Sequence, residues 1–140
     1  MIKVYTLSEL RYNGVGRRER RRMYVVPIDG VRYYIDRDPR ELKKIIVCRG
    51  KRAVWIYPDR GDDARKICIM LRAEGLSAHV KLGSIFISGF GRSHPSNKMM
   101  NIVKALLKNG YLPIISDIHP YSYVNGRYIT LEEVLRNAQK

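Results

Sequence analysis

The stretch LSAHVKLGSIFIS, residues 76–88, reads as two strands, 76–82 and 84–88, that turn back on each other about Gly83. Working outward, each side carries a helix signal. Upstream, Asp62 or Asp63 caps a helix that runs to Glu74 and is stopped by Gly75. Downstream, Ser96 starts a helix that places Met99, Ile102, Val103, Leu106 and Leu107 on one face before Gly110 closes it. Beyond the helices lie two more strands, the β-branched and aromatic run 53–57 ended by Pro58, and 112–116. The order is β-α-β-β-α-β, so the sequence predicts an α+β fold with a ferredoxin-like core over residues 52–117.

The flanks add smaller elements to this core within one domain. Residues 1–22 open on a short apolar start and a Gly-punctuated stretch. They then carry Arg17, Arg18, Arg20, Arg21 and Arg22, interrupted by Glu19. Five guanidinium groups in six positions repel one another, which predicts an arm or loop that orders on an anionic partner. Residues 23–35 alternate around Asp29-Gly30, the signal for a hairpin with a type I′ turn, and Pro27 belongs at its edge. Asp38-Pro39-Arg40-Glu41 opens a short helix that Gly50 closes, although its content, KKIIVC, is equally that of a strand. A second hairpin spans 121–129 about Asn125-Gly126, and the Thr130-Leu131-Glu132-Glu133 capping box opens a C-terminal helix.

Composition bounds the function. The 140 residues hold 27 Lys+Arg against 13 Asp+Glu, a formal charge of +14. Residues 1–60 contribute 16 basic and 7 acidic side chains to it. Such a field attracts polyanions, and nucleic acid is the most abundant polyanion in a cell. There is no apolar run of transmembrane length, no signal-peptide core and no basic amphipathic helix, so the expectation is a cytoplasmic protein without a membrane partner. Cys48 and Cys68 sit in apolar runs without C-x-x-C spacing and read as core residues, which predicts no metal and no cofactor. A single Gln and 29% charged residues point to a hyperthermophilic source.

Period-two alternation then sorts the strands by face. Val54, Ile56, Ala78, Val80, Leu82, Ile85 and Ile87 go under the helices, leaving Trp55, Tyr57, His79, Lys81, Phe86 and Ser88 on the opposite face. Flat rings beside Lys81 form a platform on which bases can stack, unless a Tyr-rich hairpin covers it. Residues 52–117 resemble RNA-recognition-motif domains in topology and in this placement of aromatics. AVWIYP, residues 53–58, sits where that family's shorter motif lies. HVKLGSIFISGF, residues 79–90, departs from the longer motif, with Lys81 followed by Leu82 and only Phe86 in an aromatic role. The resemblance implies base stacking on the open sheet.

A second constellation runs from Gly89 to Lys98. Gly89 and Gly91 let the backbone approach an anion, while Arg92, Ser93, Ser96 and Lys98 supply donors at a helix start. It lacks the G-K-[ST] ending of a phosphate-binding P-loop. The reading that follows is a protein binding single-stranded DNA or RNA with little sequence preference. Arg17, Arg18, Arg20, Arg21, Arg22, Arg49, Lys51, Arg52, Lys81 and Lys98 would neutralise phosphates; Trp55, Tyr57 and Phe86 would stack bases; Arg92 with the glycine loop would seat one phosphate. Catalytic residues are not assigned. The alternatives are a metal-independent ribonuclease using His94 in that loop, a ribonucleoprotein structural component, and a viral protein-interaction module.

Overall fold

The computed structural model describes residues 1–14, 16–50, 52–59, 62–88 and 95–138. Its centre is a five-stranded sheet in the order β6-β7-β5-β4-β8: β4 is Lys43–Arg49, β5 Val54–Tyr57, β6 Ala78–Lys81, β7 Ser84–Ile87 and β8 Tyr111–Ser116. All neighbours are antiparallel except β4 and β8, which run parallel. Two helices connect these strands. α3, Ala64–Ala73, is capped by the Asp63 carboxylate, which accepts from the Arg65 N–H at 2.9 Å. α4 is Pro95–Lys108 and buries Met99, Ile102, Val103, Leu106 and Leu107, the stripe predicted from spacing.

The fold is α+β, but the strand order corrects the ferredoxin-like expectation. There, the strand after the second helix, β8, would pair with the first strand, β5; here β4 lies between them. Residues 39–41 form one 3-10 turn after the Asp38 cap, and the helix expected to reach Gly50 is instead β4. The reason is in its side chains. Ile45, Ile46, Val47 and Cys48 are all buried, Ile45 and Val47 in the core beneath α3 and α4, Ile46 and Cys48 in a second core on the other face. A strand covered on both faces shows a continuous apolar run without alternation, so periodicity could not separate it from a helix.

A small sheet precedes this one. β1 (Val4–Thr6), β3 (Val31–Ile35) and β2 (Tyr24–Ile28) are ordered β1-β3-β2. The β2-β3 hairpin turns at Asp29 and Gly30, both with positive φ, as their sequence predicted. Val4, Val26, Ile28, Tyr33 and Ile35 join the same core as Val54, Ile56, Ile85 and Ile87, so the small sheet packs on the α3-α4 side. Between β1 and β2 lie α1 (Leu7–Tyr12) and α2 (Arg17–Arg21). The arginine segment is therefore a short helix rather than a loop, although it buries no residue.

The other face is partly covered by the C-terminal segment. β9 (Tyr123–Val124) and β10 (Arg127–Tyr128) pair about Asn125-Gly126, and Thr130 Oγ1 accepts from the Glu133 N–H at 3.2 Å to open α5, Leu131–Ala138. Leu131 and Val134 of α5 bury Ile46 and Cys48 and pack against Trp55 and Tyr57. Two members of the expected apolar set depart from it: Val80 is 41% exposed on the edge strand β6, and Leu82 is 96% exposed in the β6-β7 turn. Among the described residues no helix is long and apolar enough to cross a membrane.

Candidate nucleic-acid interface

One row of side chains crosses the sheet from β4 to β6. Cys48 is paired with Trp55, Trp55 with Phe86, and Phe86 with His79. Directly opposed residues in antiparallel strands share a face, so all four project to the α5 side. Cys48 is sealed under α5, whereas the three rings beyond it are half-buried. Their centroids are 5.3 Å apart for Trp55 and Phe86, tilted by 40°, and 5.1 Å for His79 and Phe86, which stack at 28°. Because each ring leans on the next, the ladder holds its orientation without a ligand. Ser77 Oγ lies 3.5 Å from His79 Nε2 and 3.4 Å from Ser88 Oγ at the far end. Lys81 is exposed two residues along β6 on the same face as His79.

Gly50 fixes the near end of the ladder. A Cβ there would stand 2.9 Å from the Ala53 carbonyl oxygen and 3.6 Å from the indole of Trp55, so the β4-β5 turn needs glycine at this point. Arg52 is exposed in the same turn.

Tyr57, one row along from Trp55, is engaged differently. Its hydroxyl is 3.0 Å from His119 Nδ1, and the His119 Nε2 is 3.4 Å from the Arg49 carbonyl. A carbonyl can only accept, so Nε2 carries the proton and Nδ1 accepts from Tyr57. The ring also meets His119 and Tyr121 edge-on, at 6.0 and 6.3 Å. Burial, with smaller contributions from Cys48 and Tyr121, pushes the Tyr57 hydroxyl up to about 12. Tyr57 is thus a wall between the exposed rings and the C-terminal segment.

Among the described residues, Lys81 and Arg52 lie beside the ladder, and most of the other cations predicted from sequence are placed elsewhere. Arg49 is the register partner of Val54, which belongs to the opposite core, and its guanidinium is ion-paired with Asp29 of the β2-β3 turn. Arg17, Arg18, Arg21 and Arg22 are exposed and Arg20 half-buried on a helix that leads into β2, in the small sheet packed on the α3-α4 side. No carboxylate partners them among the described residues. Lys98 is exposed on α4. Lys51, Gly89, Gly91, Arg92 and Ser93 lie outside the described residues, and Ser96 is placed in α4 without a described side chain. The expected anion seat, with His94 of the ribonuclease reading, thus lies largely outside the described residues.

Two ring pairings were not read from the sequence, although the rings themselves were. Alternation places His79 on the correct face, but its stacking on Phe86 follows from strand register, which the sequence leaves open. Tyr123 and Tyr128 are both exposed and meet edge to face at 5.1 Å across the β9-β10 hairpin, a pairing that follows from the Asn125-Gly126 turn. Among the described residues no group of His, Cys, Asp and Glu could hold a metal ion. The chain matches no family model, no curated protein and no solved structure.

Proposed function

We propose that this protein binds single-stranded nucleic acid, stacking bases on Trp55, Phe86 and His79 while cationic side chains hold the phosphates. The observation that carries the reading is the half-exposed ladder of three rings on a chain of charge +14. Stacking on such rings tolerates any base, since every base has a π-face, and it contributes about 1–3 kcal/mol per base. Lys81 and Arg52 flank the ladder and supply its local phosphate contacts. The α2 arginines act from the other side of the sheet, through the long-range field and through strand that extends beyond the rings. Tyr57 bounds the stacking surface rather than taking a base.

The test is titration of a fluorescent single-stranded oligonucleotide against wild type, Trp55→Ala and Phe86→Ala over a salt series. Each ring substitution is expected to weaken binding by about 1–3 kcal/mol, and bound oligonucleotide should shield the only tryptophan from iodide. Wild-type binding that never saturates at low salt, or a Trp55→Ala variant with unchanged affinity, refutes the proposal.

A further inference from the structure

Among the described residues three hairpins close on two-residue turns, and all three place a residue at positive φ before a glycine: Asp29 at 52°, Leu82 at 53° and Asn125 at 52°. Asp and Asn tolerate the left-handed region because their short polar side chains bond locally; leucine does not, and its Cβ crowds the following carbonyl. Tyr121, also at positive φ, is held by a 2.6 Å hydrogen bond from its N–H to the Ile129 carbonyl and by its ring contact with Tyr57. Leu82 has no comparable compensation. It is 96% exposed, so its side chain contributes no burial to the fold. Its backbone conformation is unfavourable to the folded chain and no burial of its side chain offsets that cost, which points to a contact made outside it.

The position of the turn identifies that contact. Leu82 tips the hairpin whose two strands carry His79 and Phe86, with Lys81 between ladder and tip on the ladder's face. Along an extended strand, His79 and Leu82 are roughly 10 Å apart, a span of one to two nucleotides. On its other side the tip borders a cleft of about 390 Å³ lined by Tyr57, Asp59, Asp62, Asp63 and Tyr121. Asp62 is paired with Lys43 at 2.6 Å and Asp63 caps α3, so this cleft is structurally committed and repels phosphate. A nucleic acid backbone is thereby directed past Lys81, which brings its bases rather than its phosphates to the leucine.

We infer that Leu82 is a wedge: it inserts between adjoining bases where a duplex opens into the single strand held on the ladder, and so makes the protein a reader of single-strand/double-strand junctions. Apolar side chains at protruding tips unstack base steps in this way. The inference rests on the nucleic-acid reading above and narrows its substrate to junctions.

The deciding variant is Leu82→Asn, which removes the wedge while supplying the residue the turn prefers. With a duplex bearing a single-stranded overhang and 2-aminopurine at the junction, wild type is expected to raise the fluorescence by unstacking the probe. Leu82→Asn should melt a few degrees higher, leave the probe stacked, and bind the junction roughly tenfold more weakly, the effect of one unburied leucine. Leu82→Met should behave as wild type. If Leu82→Asn unstacks the probe and binds as wild type does, the wedge is refuted while ladder binding stands. A lower melting temperature for Leu82→Asn would show that Leu82 places no strain on the turn and overturn the inference. Absence of wild-type binding to both the overhang duplex and a plain single strand overturns the wedge and the nucleic-acid reading together.

Discussion

Tyr57 illustrates how a single side chain can be built for structure on a surface that otherwise looks made for contact. Alternation puts it on the face of Trp55, yet the loop at 119–121 returns to occupy both its hydroxyl and its ring edges. Its hydroxyl, like that of buried Tyr33, is raised from 10.0 to about 12 chiefly by burial, and the Cys48 thiol from 9.0 to about 12 for the same reason. The folded state therefore favours the neutral forms. Their contribution is complete below the ordinary values and is lost as pH rises from about 9 toward 12. Alkaline unfolding followed by circular dichroism, with tyrosinate absorbance read in parallel, should show both signals changing together in that window. Tyr57→Phe should lower stability by about 1 kcal/mol at neutral pH, because the bond to His119 is no longer made, and remove part of the alkaline sensitivity. Gly50 is a second such residue. Gly50→Ala should lower the melting temperature and alter Trp55 fluorescence, because the new Cβ meets the backbone oxygen of Ala53 rather than a side chain that could move; an unchanged spectrum would contradict the tight turn.

At the scale of elements, α5 decides how much of the ring face is available. Its Leu131 and Val134 cover Ile46 and Cys48 and stop at Trp55. Leu131→Ala should cost about 2–5 kcal/mol and make Cys48, which is buried in the native protein, react with a thiol reagent; continued protection of Cys48 would show that α5 is not its cover. α1 is anchored in another way. Thr6 and Glu9 form a reciprocal capping box, and Glu9 also bonds Lys104 of α4 at 2.7 Å. Burial alone would raise the Glu9 carboxyl, but the hydrogen bonds from Lys104 and Thr6 outweigh it and hold the group below its ordinary value. The sign is opposite to that of Tyr57: this contribution is present above the ordinary carboxylate range and fades as pH falls through the lowered value. Glu9→Gln should therefore narrow the difference in melting temperature between neutral and acidic solution.

Over the whole molecule, the two faces of the five-stranded sheet carry different neighbours. The small sheet, into which the arginine helix leads, belongs with α3 and α4, and the ladder belongs with α5. If strand wraps from one to the other, removing the α2 arginines should reduce the number of phosphates neutralised without removing stacking. Replacing Arg17, Arg18, Arg21 and Arg22 by Ala is then expected to flatten the salt dependence of oligonucleotide binding, by a slope of about 0.7 for each phosphate that is no longer neutralised, while oligonucleotide still shields Trp55. A slope identical to wild type would place the bound strand entirely on the ladder side.

Much of this was legible in residue order. Each of the turns at Asp29-Gly30, Gly83 and Asn125-Gly126, the caps at Asp63 and Thr130, and the α4 stripe is set by interactions between residues a few positions apart, and such local chemistry is written in a single sequence. Strand order was not. Whether residues 43–49 continue the turn at 39–41 as helix or enter the sheet between β5 and β8 depends on two cores that meet on opposite sides of Ile45–Cys48, and those cores are assembled from distant segments. The same holds for the site. Composition fixed the charge and alternation fixed which side chains share a face, whereas the division of that face into a wall at Tyr57 and an open row at Trp55, Phe86 and His79 came from where α5 and the 119–121 loop pack, a long-range contact that no local pattern encodes.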